Sequence, residues 1–220
     1  ASAPRWPAAA IDGAPPTPIL MHETPMTTAL ALLSALLYAA APPLLAVVQA
    51  RDPHHDTVRD PVSDYALGTA RGLFQWHGHL GTLAAALMAG VMHLAGLPGW
   101  LVACMAAVVL ARIGVLLFPT DLEGAPKTAS GRLHMGFAVA SFALYYTVAD
   151  NATPLLAPAA PPALAGVLIA LRWLCAWALA ALVACLLLPP LRRWFGLAER
   201  VFLIAVPAWF AAASLAIAVR

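Results

Sequence analysis

The chain has 220 residues, 62% of them hydrophobic and only 10% charged, with a formal charge of +2, and its mean hydropathy is +0.83. A soluble domain carries roughly one-quarter charged residues, so the composition excludes that class and makes the lipid bilayer the first partner. The small charge is scattered and forms no basic run, which excludes nucleic acid as a partner.

Residues 1–26 read as a separate tail, rich in proline (Pro4, Pro7, Pro15, Pro16, Pro18, Pro25) and without an apolar run. Alone, such a segment is expected to be disordered, and a partner subunit is the expected means of holding it. Residues 27–220 read as one transmembrane domain. A span needs about 20 mainly apolar residues, and the runs at 27–50, 73–97, 100–118, 133–148, 163–188 and 201–219 are the candidates. None alternates like a strand, so the expected fold is all-α, a polytopic membrane bundle of six transmembrane helices.

Within the first run, Pro42 and Pro43 remove two backbone donors and predict a kink. The fourth run is short and should recruit flanking residues, while the fifth is long enough to tilt or to begin as an interfacial segment before Arg172. Arg172 with Trp173 and Trp177, and Arg192, Arg193 and Trp194, have the composition of anchors at the headgroup level. Cys104, Cys175 and Cys185 lie in apolar runs without metal-ligand spacing and read as inert thiols.

The loops differ in character. "GLPG" joins the second and third runs, whereas "RDPHHDTVRDPVSDYALGTARG" and "FPTDLEGAPKTASGRLHMG" are long and polar. Alternating helices put the first, third and fifth loops on one side. That side holds Arg51, Arg59, Arg71, Lys127, Arg132, Arg192, Arg193 and Arg200. The positive-inside rule makes it cytoplasmic.

On that same side, Ser63, Asp64 and Asp121 lie in loops, and His77, His79 and His134 lie in the first turns of helices. Polar groups in a membrane normally face the bundle interior and pair. Arg112 is placed to snorkel to this side or to pair with Asp64 or Asp121. Four readings compete for the cluster. It is structural, with Asp121 capping a turn and His134 bonding a loop carbonyl. It is a lipid-directed catalytic site built from Ser63 as nucleophile, His134 as base, and Asp64 and Asp121. It is a metal site of His77, His79, Asp121 and His134. Or it holds haem b: His79 and His93, about 40° apart in azimuth on one helix, could face two haems, but His134 is the one partner histidine within the expected spans, which leaves one haem between His79 and His134. His54 and His55 are expected in solvent.

The stretches "RDPVSDYALG", "FPTD" and "TASGRLH" resemble the domain-of-unknown-function 998 family of six-helix bacterial and archaeal membrane proteins, over roughly residues 27–218. On that resemblance the matching positions are Ser63, Asp64, Pro119, Thr120, Asp121, Gly131 and His134. The resemblance implies no activity. The leading expectation is a non-catalytic accessory subunit of a larger membrane complex, with no cofactor; a membrane enzyme acting on a lipid or other amphiphile, and a haem-binding subunit, are the rivals.

Overall fold

A computed structural model describes residues 25–122 and 125–220. The expectation for the tail falls on residues 1–24, outside the described residues. Six long helices appear: α1 (Pro25–Arg51), α2 (Arg71–Leu94), α3 (Gly99–Leu117), α4 (Ala129–Leu156), α5 (Pro162–Leu187) and α6 (Phe195–Ala218). Among the described residues there is no strand. The all-α membrane bundle is therefore the fold. α1, α3, α5 and the segment Pro189–Ala218 are long and apolar enough to cross a membrane. α2 and α4, of 24 and 28 residues, are not among those four, but at 1.5 Å per residue they reach about 36 and 42 Å, long enough for the same thickness.

The helices pack in sequence order, with α6 against α1 and α5 and also touching α4 and α2. The contact between α4 and α5 is the sparsest between consecutive helices. α6 is buried along most of its length, through Phe202, Trp209 and Phe210 among others. In lipid, helices gain little by hiding apolar surface from one another, so close packing and hydrogen bonds hold them. Small residues (Ala31, Ala35, Ala84, Ala85, Ala149, Ala152, Ala213, Ala216) fill the buried faces and let backbones approach. Trp209 Nε1 donates to Thr153 Oγ1 at 3.1 Å, and the Ser214 hydroxyl donates to Ser34 Oγ at 3.1 Å. Each such bond contributes about 0.6 kcal/mol in a bilayer.

α4 recruits flanking residues as expected, reaching Ala129–Leu156 from the run at 133–148: Thr128 caps its start by accepting from Gly131 N–H at 3.0 Å, a hydroxyl role typical of a helix start. Its far half carries Thr147, Asn151 and Thr153, each donating to the carbonyl four residues earlier at 2.9, 2.8 and 2.6 Å. Those polar side chains are satisfied within the helix, so they do not end it. α5 is one continuous helix, Pro162–Leu187, with Arg172 inside it. α1 is one helix that contains Pro42 and Pro43.

Candidate functional site

The first, third and fifth loops meet at one end of the bundle, where residues of all three line a common cavity. The first loop closes on itself through Asp52, which is 2% exposed and accepts from Thr69 N–H at 2.8 Å. Burial pushes the Asp52 carboxyl up, but hydrogen bonds from Ala70 and Thr69 outweigh it and hold the group below the usual range. His55 is half-buried, edge-on to Tyr65 with ring centres 4.9 Å apart and 3.8 Å from both Asp52 and Asp60. The expected solvent position therefore holds for His54 alone, because the loop folds back over His55.

This loop is clamped to the start of α6. Glu199 accepts from the buried Val62 N–H at 2.6 Å, and Leu197 N–H donates to the Val58 carbonyl at 3.0 Å. Arg200 donates to the Asp60 carbonyl at 2.9 Å and to the Tyr65 hydroxyl at 3.2 Å. A buried backbone N–H left without an acceptor costs about 1–3 kcal/mol, so Glu199 fixes where the loop can lie.

The third loop is held by Asp121, which accepts from Thr128 N–H at 2.8 Å and from its hydroxyl at 2.7 Å. The Thr128 hydroxyl and N–H hold the Asp121 carboxyl below its usual range. A Cβ at position 131 would collide with the Asp121 carboxylate, so glycine is what lets the loop carboxylate approach the helix. Ser130 donates to the Pro119 carbonyl at 3.0 Å, and His134 Nδ1 lies 2.9 Å from the Phe118 carbonyl. A carbonyl only accepts, so Nδ1 carries the proton and Nε2 of the neutral ring is the acceptor.

Arg112 pairs differently from expectation. It extends from α3 to donate to the Gly78 carbonyl at 3.0 Å and to Thr82 Oγ1 at 3.3 Å, both on α2. Gly81 makes the room, since a Cβ there would meet the guanidinium. The close packing of α2 on α3, which spacing alone does not reveal, supplies these acceptors.

Two cavities open among these residues. The larger, of about 470 Å³, is bounded by Ser63 and Asp64 from the first loop, Asp121 and Lys127 from the third, Arg132 of α4 and Arg192 of the fifth. The smaller, of about 250 Å³, has Ser63, His77, Arg112, His134 and Glu199 in its wall. The expected site residues are thus divided. Asp64, 4% exposed, and Asp121 face the larger cavity, His77 and His134 the smaller, and Ser63 both. His79 is exposed, edge-on to Trp76 at 6.4 Å, and lines neither. Among the described residues no three His, Cys, Asp or Glu side chains form a group able to hold a metal ion.

Sequence reasoning passed over two features. Glu199 and Arg200 are 7% and 6% exposed and clamp the first loop; the signal was an acid–base pair opening an apolar run. Arg172 has a partner on the next helix: its Nε donates to Asp150 Oδ1 of α4 at 2.7 Å, and the two side chains are 30% and 34% exposed. Arg172 stands ten residues into α5, or about 15 Å along the helix. The signal was an arginine well inside an apolar run, which calls for a partner.

Residues 32–216 match the model of a family described as protein of unknown function (DUF998). Comparison with curated proteins returns no match, and neither does comparison with solved structures.

Proposed function

The chain belongs to the DUF998 family, and from that premise we propose that it is a non-catalytic accessory subunit packed in a larger membrane complex. The observation that carries this reading is the Asp150–Arg172 pair, bonded at 2.7 Å with about a third of each side chain exposed. It bridges α4 and α5, whose contact is the sparsest between consecutive helices. A charged side chain near the bilayer centre costs about 2.5–3.5 kcal/mol on insertion scales, and a neighbouring protein helix relieves that cost by covering the pair. Trp173, 52% exposed, has its ring 5.0 Å from the Arg172 guanidinium and offers a large side chain for packing beside the pair. The carboxylates at the loop end support the non-catalytic part, since Asp52, Asp121 and Glu199 each hold a backbone N–H. On this reading the polar loops face the cytoplasm of a bacterial inner-membrane complex, and no cofactor is needed.

Extraction in mild detergent followed by sizing tests the proposal. The expected result is a particle containing other subunits in fixed ratio, which an Asp150→Ala, Arg172→Ala double variant leaves largely as a single chain. A wild-type particle that is monomeric under the mildest conditions contradicts it.

One observation favours a second reading, an enzyme acting on a lipid or amphiphile. Ser63 and His134 share the smaller cavity, and the Phe118 carbonyl orients the imidazole as a general base requires. Asp64 and Asp121 would act there only through the loops. Altered membrane lipid composition in a Ser63→Ala, His134→Ala strain is the outcome this reading needs; unchanged composition removes it. A haem between His79 and His134, or a metal shared with His77 and Asp121, requires a colour or a metal content lost in a His134→Ala variant.

A further inference from the structure

The larger cavity combines charge, room and an apolar wall at one place, and nothing in the accessory-subunit reading uses it. Lys127 from the third loop, Arg132 from the first turn of α4 and Arg192 from the turn after α5 approach it from three separate segments, and all three are exposed. Among the described residues the ion pairs join His55 to Asp52 and Asp60, Arg59 to Asp56, and Arg172 to Asp150. None of them engages these three cations, although Lys127 and Arg132 lie close enough to Asp121 to help hold its carboxyl low, and Arg132 donates to the Lys127 carbonyl at 3.4 Å. Of the two acids in the wall, Asp121 already accepts two bonds from Thr128 through separate oxygens, and Asp64 is buried. Met135 of α4, Leu186 of α5 and Phe195 of α6 form the side of the cavity that faces the spans. A volume of about 470 Å³ is within the range of small-ligand pockets, about 300–1,000 Å³.

We propose that this cavity binds the phosphate headgroup of an anionic phospholipid, with Lys127, Arg132 and Arg192 around the phosphate and the first acyl carbons against Met135, Leu186 and Phe195. Position favours a lipid over a soluble anion. The cavity lies where the ends of α4, α5 and α6 meet the headgroup layer, and Trp194, stacked under Arg193 at 5.6 Å, has the composition of that layer. Basic pockets between transmembrane helices on one membrane side are suited to anionic headgroups.

The test uses the full chain in nanodiscs of phosphatidylglycerol mixed with phosphatidylcholine, with retained lipid counted by native mass spectrometry after gentle release. The wild type is expected to keep one phosphatidylglycerol in preference to phosphatidylcholine. A Lys127→Gln, Arg132→Gln, Arg192→Gln variant should lose that retention about tenfold or more. Lys127→Gln and Arg192→Gln alone, both at exposed positions, should each lose part of it with unchanged helical content. Arg193→Gln, a base of the same turn outside the cavity wall, should change nothing. Equal retention of phosphatidylcholine, or an equal loss in Arg193→Gln, overturns the proposal. Displacement of the lipid by millimolar inorganic phosphate also overturns it, reassigning the cavity to a free phosphate ion.

Discussion

The loop end of the bundle and the α4–α5 seam both contain charged groups in an apolar protein, and they satisfy them in opposite ways. At the loop end, Asp52, Asp121 and Glu199 accept from backbone N–H groups of the loops they hold. Each carboxylate there meets a donor within the same chain, and the two long loops become part of the fold. At the seam, Asp150 meets Arg172 alone at full strength, with a 3.4 Å contact to the Tyr146 hydroxyl, and both remain a third exposed. Charge that is folded into backbone bonds stabilises the chain that carries it. Charge left a third exposed is, on the proposed reading, the place where a second protein gains by docking.

If that contrast is right, the largest effect belongs to breaking the seam on one side only. Arg172→Ala leaves Asp150 charged in a span and should destabilise the chain by about 3 kcal/mol, whereas adding Asp150→Ala should recover most of the loss. Thermal unfolding in one fixed detergent measures both; equal losses in the single and double variants would show that the pair is no special burden. Next comes the clamp of the first loop. Glu199→Ala orphans the Val62 N–H and should cost about 2 kcal/mol, with faster tryptic cleavage after Arg51 or Arg59, while Glu199→Gln keeps an acceptor and should behave nearly as wild type. Smaller again is the start of α4, where Thr128→Ala removes a cap worth about 1 kcal/mol together with the hydroxyl bond to Asp121; a shift in melting with no change in cleavage of the first loop would keep that effect local.

The smallest effect is in pH. The folded-state pKa values of Asp52 and Asp121 are held below the ordinary range. Their contribution is therefore present above the unfolded value of about 3.9 and is lost as pH falls through the lower folded values. Melting temperature should stay level with respect to these two groups above about pH 5 and fall below about pH 4, and Asp52→Asn should flatten the fall.

The bundle was legible in the sequence because apolar runs of span length admit few alternatives in a membrane. The ends of α4 were not, since Thr147, Asp150 and Asn151 interrupt the run in composition while their bonds inside or beside the helix leave it intact. At the site, the structural reading of Asp121 and His134 could be framed from residue types, because a carboxylate after Pro119 and Thr120 and a histidine in a first turn have few local partners. The partners of Arg112, Glu199 and Arg172 could not. Gly78, Val62 and Asp150 lie 34, 137 and 22 residues away in sequence, and only helix packing brings them within reach. Spacing reports what one element can do alone; it is silent on which elements meet.

The most direct test of the seam as the docking face is cysteine crosslinking in native membranes. Trp173→Cys on α5, where the native side chain is 52% exposed and its ring lies 5.0 Å from the Arg172 guanidinium, is compared with Leu110→Cys on α3, where it is 68% exposed. A crosslinked adduct to another subunit from position 173 and none from position 110 is the predicted result. No adduct from position 173, or equal adducts from both, would contradict the account.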